Sequence, residues 1–412
     1  MIYSYESEEE GAAMLNLNEY IDSLPIISTH EHHFSFHDAI DYAANPDALE
    51  KLFGQSYVAW ANNDFKNKAT RSRFLDLISG NSYFIWYEKA LDDLFNFGGE
   101  ITVENWDAVS DRIGAAYADP GFQEHVWKDK CCYTRAILDA YWAPGADNGR
   151  PDLYAPTFRV NSFFFGINSE MSDSNGYNAQ RLYGTCGDLD EYSQMIDRVI
   201  REAKDRGCVA LKSAIAYDRS LDFASQNRDI AAKAFGRPSD DITPDELNLF
   251  GNYVYDQICS AAARYELPFQ NHTGLGKIAG SNPMNLIPMI EKHPHTKFVL
   301  FHGGYPWTEQ LAGLSHNYYN VYTDICWLPA ICTSAAKRLL HSLIETAKDS
   351  SRITWGGDSW LVTESYAQTL AARHVIKNVL SEKVADGYLS ESRARRFAER
   401  ILSINAKELY GL

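Results

Sequence analysis

The sequence predicts an α/β fold: a (β/α)8 TIM barrel with a long helical insertion after strand one. Three observations carry this reading. Eight short apolar runs fit buried strands. Helical stretches separate most of them, and that alternation over such a length means parallel strands joined by crossovers. Several runs also end in histidine, lysine or aspartate, where a barrel of this class places its chemistry.

In chain order, residues 1–15 read as a loose acidic leader containing Glu6, Glu8, Glu9 and Glu10. A short helix over 15–23 feeds a strand over 24–27. Residues 37–128 carry no strong strand signal but many aromatics, Tyr57, Trp60, Phe65, Phe74 and Trp106 among them, with helical spacing in Tyr87, Leu91 and Leu94. This segment is the expected insertion. Its aromatics either pack its own core or form a lid over a site. The barrel proper resumes with strands expected over 134–138, ending near Asp139, and over 158–165. A helix over 189–206 is stopped by Gly207. Further strands are expected over 209–215, 267–271, 297–301, 321–325 and 353–356. Thr243-Pro-Asp-Glu marks a helix start, with proline in the first turn and acid beside it; that helix should run to about 266. Other helices are expected over 285–292, 307–315 and 335–347, with closing helices over 365–380 and 391–409. Residues 16–412 thus form one barrel with its insertion.

The 412-residue length suits one large barrel. A formal charge of −17 argues against nucleic acid and anionic membranes as partners and leaves a small-molecule substrate. No apolar run approaches the roughly 18 residues of a membrane span, and the acidic start lacks the order of a signal peptide. Seven scattered cysteines without a C-x-x-C suggest a reduced, cytoplasmic setting and no thiolate zinc site. A homo-oligomer is left open.

The chemistry gathers at the strand ends. Ser28-Thr29-His30-Glu31-His32-His33 follows the first strand; two apart, His30 and His32 share one side while Glu31 faces away. Strand four carries Lys212, strand five leads to His272, strand six to His302 and strand eight to Asp358. Histidine and carboxylate ligands hold a divalent metal while leaving positions open. Zinc comes first among the metals they accept, one or two per chain. Such a metal acidifies water and polarises a carbonyl, and Asp358 could act as general base. Desolvation and nearby cations favour a neutral Lys212, whose amine can add carbon dioxide to form a carbamate. His33 reads as structural, and Asp324 either supports the site or orders a loop. Tyr217, Arg219, Tyr305, Trp307 and Trp327 are the substrate-binding candidates, Arg219 as a carboxylate clamp. With Trp142 and Trp360 these aromatics suggest a substrate with an apolar or ring portion.

The stretches NHTGLG, FVLFHGGYP and WGGDS, together with His-x-His after strand one and Lys212 on strand four, resemble the amidohydrolase superfamily, and its amidohydrolase-related (type 2) family in particular. The resemblance covers the barrel and not the 37–128 insertion. It implies His30, His32 and Asp358 on one metal and His272 and His302 on a second, with Lys212 bridging if carboxylated. The implied activity is metal-dependent hydrolysis of a C–N amide or ester-type bond in a small molecule. A decarboxylase or a uronate-isomerase-like enzyme on the same site is the alternative, and a barrel that only binds metal or ligand is a third reading.

Overall fold

Short buried runs rich in Ile, Val, Leu and Phe become strands because they can bury both faces of a parallel sheet. The computed structural model describes residues 15–43, 47–59 and 65–412. Most of the expected acidic leader, and Trp60, lie outside them. Eight strands follow one another around a single sheet: β1 (Ile26–Glu31), β2 (Tyr133–Leu138), β3 (Tyr154–Arg159), β4 (Ala210–Ser213), β5 (Phe269–Asn271), β6 (Phe298–Leu300), β7 (Val321–Asp324) and β8 (Ile353–Thr354). Every neighbouring pair is parallel. The ring closes between β1 and the residues following β8. Thr29 N donates to Trp355 O at 3.2 Å, Asp358 N to His30 O at 2.8 Å and His32 N to Ser359 O at 2.8 Å. The chain is therefore a (β/α)8 barrel, as its sequence predicts.

The boundaries differ from expectation most at β3. The expected strand over 158–165 lies four residues too late. The chain pairs over Tyr154–Arg159 and then turns through Asn161–Phe165. Pro156 makes the true strand read as a break; it has no N–H to give, but it still joins the ladder through its carbonyl, which accepts from Val209 N at 2.9 Å. Phe163 and Phe164 are buried by packing in the turn, where Tyr192 donates its hydroxyl to Phe163 O at 2.6 Å. At Thr243 local chemistry dictated the outcome: the helix Pro244–Arg264 opens with a full capping box between Thr243 and Glu246.

Among the described residues between β1 and β2 the chain forms the helices Phe36–Ala43, Ala48–Gln55, Lys68–Ile78, Ser82–Phe95, Trp106–Tyr117 and Phe122–His125. Their aromatics make a core. The Phe53 ring lies within 6.4 Å of the Phe65, Phe74, Phe84, Tyr87 and Trp106 rings. They dock on the helix Val362–Ala385, which follows β8. Tyr83 donates its hydroxyl to Glu364, and the Tyr87 and Tyr117 hydroxyls lie 3.1 and 3.0 Å from Thr363 Oγ1. No helix among the described residues is long and apolar enough to cross a membrane.

Burial pushes the Glu364 carboxyl up to about 7, against the hydrogen bonds from Tyr83 and Trp360 N. A carboxyl raised on folding contributes stability that is full below its unfolded pKa of about 4.5 and is lost as pH rises through about 7. Glu364→Gln should remove this dependence. Denaturant titrations at pH 5 and pH 8 should show the wild type losing about 3 kcal/mol more than the variant; parallel pH profiles would refute the assignment.

Candidate active site

β1 carries His30 and His32 to the barrel mouth on one side of the strand. His32 Nε2 lies 3.1 Å from Asp358 Oδ1, and His30 Nε2 lies 3.8 Å from the same oxygen. His302, just after β6, places Nδ1 3.9 Å from Asp358 Oδ2 and Nε2 3.0 Å from His272 Nδ1. Lys212, on β4, is 2 % exposed. Its Nζ lies 3.8 Å from the centroid of the Phe301 ring. The structure thus brings together all six of the polar residues expected at the mouth.

The partner on the other ring nitrogen decides which nitrogen of each imidazole carries the proton. His32 Nδ1 lies 2.8 Å from the Asp139 carbonyl, which can only accept. His30 Nδ1 lies 3.1 Å from Gln270 Oε1. The Gln270 amide end is fixed by the Thr29 carbonyl, to which Nε2 donates at 3.0 Å. His302 Nδ1 faces the Cys326 carbonyl at 3.3 Å, and His272 Nε2 faces the Leu275 carbonyl. Each ring therefore turns a lone pair into the site: Nε2 of His30, His32 and His302, and Nδ1 of His272.

These lone pairs meet other acceptors. His32 Nε2 faces a carboxylate, and His302 Nε2 faces His272 Nδ1. A proton or a cation must stand between each pair. Protons are disfavoured: burial, with the charges of Lys212 and His32, drives His30 well below its ordinary value. Burial, His302 and Lys212 do the same to His272, and burial brings His302 down to about 4. Burial pushes the Asp358 carboxyl up, and only a proton or positive charge at the surrounding rings, His32 first, outweighs this and holds it well below the carboxylate range. His30 Nε2 is buried and has no hydrogen-bond partner. Such a donor set fits a divalent metal. The ligand atoms of His30, His32 and Asp358 lie within 4.8 Å of one another, and so do those of His302, Cys326 and Asp358.

The backbone is adapted to this cluster. His302, Trp327 and Asp358 take positive φ values of 62°, 66° and 62°. Strained non-glycine residues of this kind concentrate at functional sites. Glu31 faces away from the cluster, as strand alternation requires, and supports it from behind. Its carboxyl accepts from Ser28 Oγ at 2.7 Å, Tyr133 Oη at 2.9 Å and Ser359 N at 2.9 Å. Only glycine fits at 357, since a Cβ there would lie 2.3 Å from Glu31 Oε1. His33 is structural, held by Tyr154 Oη at 2.8 Å and Ser365 Oγ at 2.6 Å. Asp324 orders the loop after β7, accepting from Cys326 N at 2.9 Å, and ties it to Thr29 and Thr354.

His32, His272, His302, Lys212 and Asp358 open on a cavity of about 480 Å3. Of the expected substrate-binding residues, Tyr217 lines it, its ring 4.4 Å from that of His272. Trp327 packs behind the wall, 5.2 Å from the His302 ring and 4.6 Å from Tyr57. Arg219 is turned away: it bonds the Ser220 and Asn248 carbonyls at 3.1 and 3.0 Å and lies over Phe223. Tyr305 and Trp307 do not line the cavity. Arg159, Asn161, Tyr141 and Tyr57 do line it, and none of them was singled out as a site residue from sequence. Arg159 and Asn161 were hidden by the late placement of β3. Tyr57 sits in a short turn between helices, which leaves no periodic signal. Cys326, one residue past β7's flank, had no motif around it.

The sequence model of the amidohydrolase family matches residues 174–412. Over 242 residues the chain is 26 % identical to Protein fluG of Emericella nidulans, covering 54 % of this chain and 28 % of that protein. The chain thus spans less than a third of the length of this relative. The fold is shared with uronate isomerase from Thermotoga maritima, at a TM-score of 0.76, 18 % identity and 96 % of both chains. It is shared too with glucuronate isomerase from Caulobacter crescentus, at a TM-score of 0.73 and 18 % identity over 96 % of this chain and 93 % of the other. A Lactobacillus casei protein, named only as a candidate metal-dependent hydrolase, matches at a TM-score of 0.72 and 16 % identity over 96 % and 97 %. With more than half its length matched by that model, on the barrel and around the motifs that resemble it, the chain belongs to the amidohydrolase family, in its amidohydrolase-related (type 2) branch.

Proposed function

We propose that this protein is a metal-dependent hydrolase that cleaves a C–N amide or ester-type bond in a small molecule. The observation that carries the reading is the convergence of imidazole lone pairs on the Asp358 carboxylate and on one another beside an open cavity. His30, His32 and Asp358 would hold one divalent metal, zinc first. His272 and His302 would hold a second. Lys212 fits a bridging role as a carbamate, because burial brings its ammonium down to about 8 and makes its neutral amine accessible near neutral pH. Bound there, the metal supplies a Lewis acid that acidifies water and polarises the scissile carbonyl.

The protein's own groups do the rest. Asp358 takes the proton of the attacking water and passes it to the leaving group. The buried far-side acceptors, Gln270 and the carbonyls of Asp139, Leu275 and Cys326, keep the rings from turning and hold one N–H of each on the outer side. Tyr141, Tyr57, Tyr217 and Trp360 wall the cavity. Isomerisation or decarboxylation on the same frame is separated from hydrolysis by product analysis, since only hydrolysis consumes water and releases an amine or alcohol.

Asp358→Asn should leave a folded barrel and lower turnover about 10²–10⁴-fold on any amide or ester that the zinc-loaded wild type cleaves. Metal that stays bound with turnover intact would remove Asp358 as the base. His32→Ala should lower the zinc content measured by elemental analysis, with far-ultraviolet circular dichroism unchanged; full zinc occupancy would contradict the ligand set. Protein equilibrated with 13C-bicarbonate should show a carbamate carbon resonance that is missing from Lys212→Met, and its absence from the wild type would exclude the bridge.

A further inference from the structure

We infer that the substrate is a small carboxylate whose anionic group sits within a few bonds of the reacting carbonyl, and that Arg159 receives it; the inference rests on the metal-dependent reading above. Arg159 closes β3 and pairs in register with Lys212 of β4, so it reaches the barrel mouth beside the metal cluster. Its side chain is 10 % exposed and lines the cavity.

A guanidinium offers donors on more than one edge. In Arg159 one edge is spent: Nε lies 3.0 Å from Asp139 Oδ2, and Nη2 pairs with the same oxygen. Among the described residues Nη1 makes no hydrogen bond, which leaves that end for a ligand. The Tyr141 ring, 5.0 Å from the guanidinium carbon, holds the group in place. Next to it, Asn161 accepts from Ala214 N at 2.8 Å through Oδ1, so its amide nitrogen is the end it can offer to the cavity. Arg159 and Asn161 together present donors where an anion would lie.

The position of Asp139 sets the reach. Asp139 is fully buried, and its Oδ2 lies 3.6 Å from His30 Nε2 while paired with Arg159. One carboxylate therefore separates the arginine from the histidine cluster. A group bound by Arg159 sits beside the reacting centre and not at the far end of a long substrate. Arg219, the arginine the sequence suggested as a clamp, cannot do this, because it is committed to backbone carbonyls elsewhere. N-acylated α-amino acids have the required spacing of amide carbonyl and carboxylate.

Three probes test the inference by binding to the zinc-loaded protein, followed by calorimetry or ligand-observed NMR. They are N-acetylglycine, its neutral amide N-acetylglycinamide, and 4-acetamidobutyrate, which keeps the charge on a longer spacer. N-acetylglycine should bind about tenfold more tightly than either, the worth of one charge-assisted hydrogen bond. Arg159→Met should erase most of that preference at unchanged zinc content. If this variant fails to fold or loses zinc, Arg159→Lys, which can keep a partner for Asp139 but lacks the fork, should erase it as well. Equal binding of acid and amide, equal binding of both acids, or a preference that survives in the zinc-loaded variants would overturn the inference. Zinc content of the wild type reports on the metal-dependent reading separately. Protein that takes up no zinc fails that reading, whereas zinc-loaded protein without the preference fails only this one.

Discussion

The backbone seam where the barrel closes is braced by one buried side chain, Glu31, and the site depends on it. β8 is only two residues long, so the ladder to β1 is completed by the loop that carries Asp358. Glu31 Oε2 accepts from Ser359 N, and Ser28, itself bonded to Glu31, accepts from Gly357 N at 3.1 Å. The residues before and after Asp358 are thereby fixed to the strand that carries His30 and His32. A positive φ at a non-glycine residue costs about 1–3 kcal/mol. At Asp358 the surrounding bonds over-determine it, and the carboxylate is held 3.1 Å from His32 Nε2. The residue between the two histidines faces away from the cavity and still sets the cavity's geometry.

The barrel was legible because its strands obey a rule that survives short lengths: each apolar run ends in a polar residue at the mouth. His30, His32, His272, His302 and Asp358 follow it, while Lys212 lies inside the run of strand four. The rule fails where the run is misplaced. With β3 set to end at Gly166, its true last residue, Arg159, fell inside an apparent strand and passed unnoticed. Pro156 caused the error, because proline in an apolar run normally argues against a central strand. Arg219 is the opposite case. It follows β4 closely in sequence, but the turn Ile215–Tyr217 carries it away from the mouth. Position relative to a strand end is readable from sequence; the direction of the next turn is set by tertiary packing and is not.

The helices between β1 and β2 contribute to both alternatives raised by their aromatics. Phe53 and its ring neighbours form an apolar core, while Gln55, Ser56 and Tyr57 at its edge line the cavity. The same helices dock on the first turn of Val362–Ala385 through Tyr83, Tyr87 and Tyr117. Glu364, which receives Tyr83, also accepts from Trp360 N at 2.8 Å, and Trp360 is itself a cavity wall two residues from Asp358. The packing of the helical segment is thus continuous with the wall and with the Asp358 loop, so a change in one displaces the other.

Four ring nitrogens turn lone pairs inward because the other nitrogen of each ring donates its N–H to an acceptor on the outer side. Three of these acceptors are backbone carbonyls, of Asp139, Leu275 and Cys326, and they belong to loops that leave the strand ends. A carbonyl can only accept, so each of these three holds the N–H on the outer nitrogen of its ring. The fourth acceptor, Gln270, crosses the barrel interior from β5 to β1 and is also anchored to Thr29 O and to Tyr410 Oη at 3.1 Å. Replacing any of the histidines by another neutral donor would keep the charge and lose this directionality. The barrel's contribution to the chemistry is therefore made largely by groups that never touch substrate: they determine that the site presents lone pairs, and lone pairs crowded against a carboxylate require a cation.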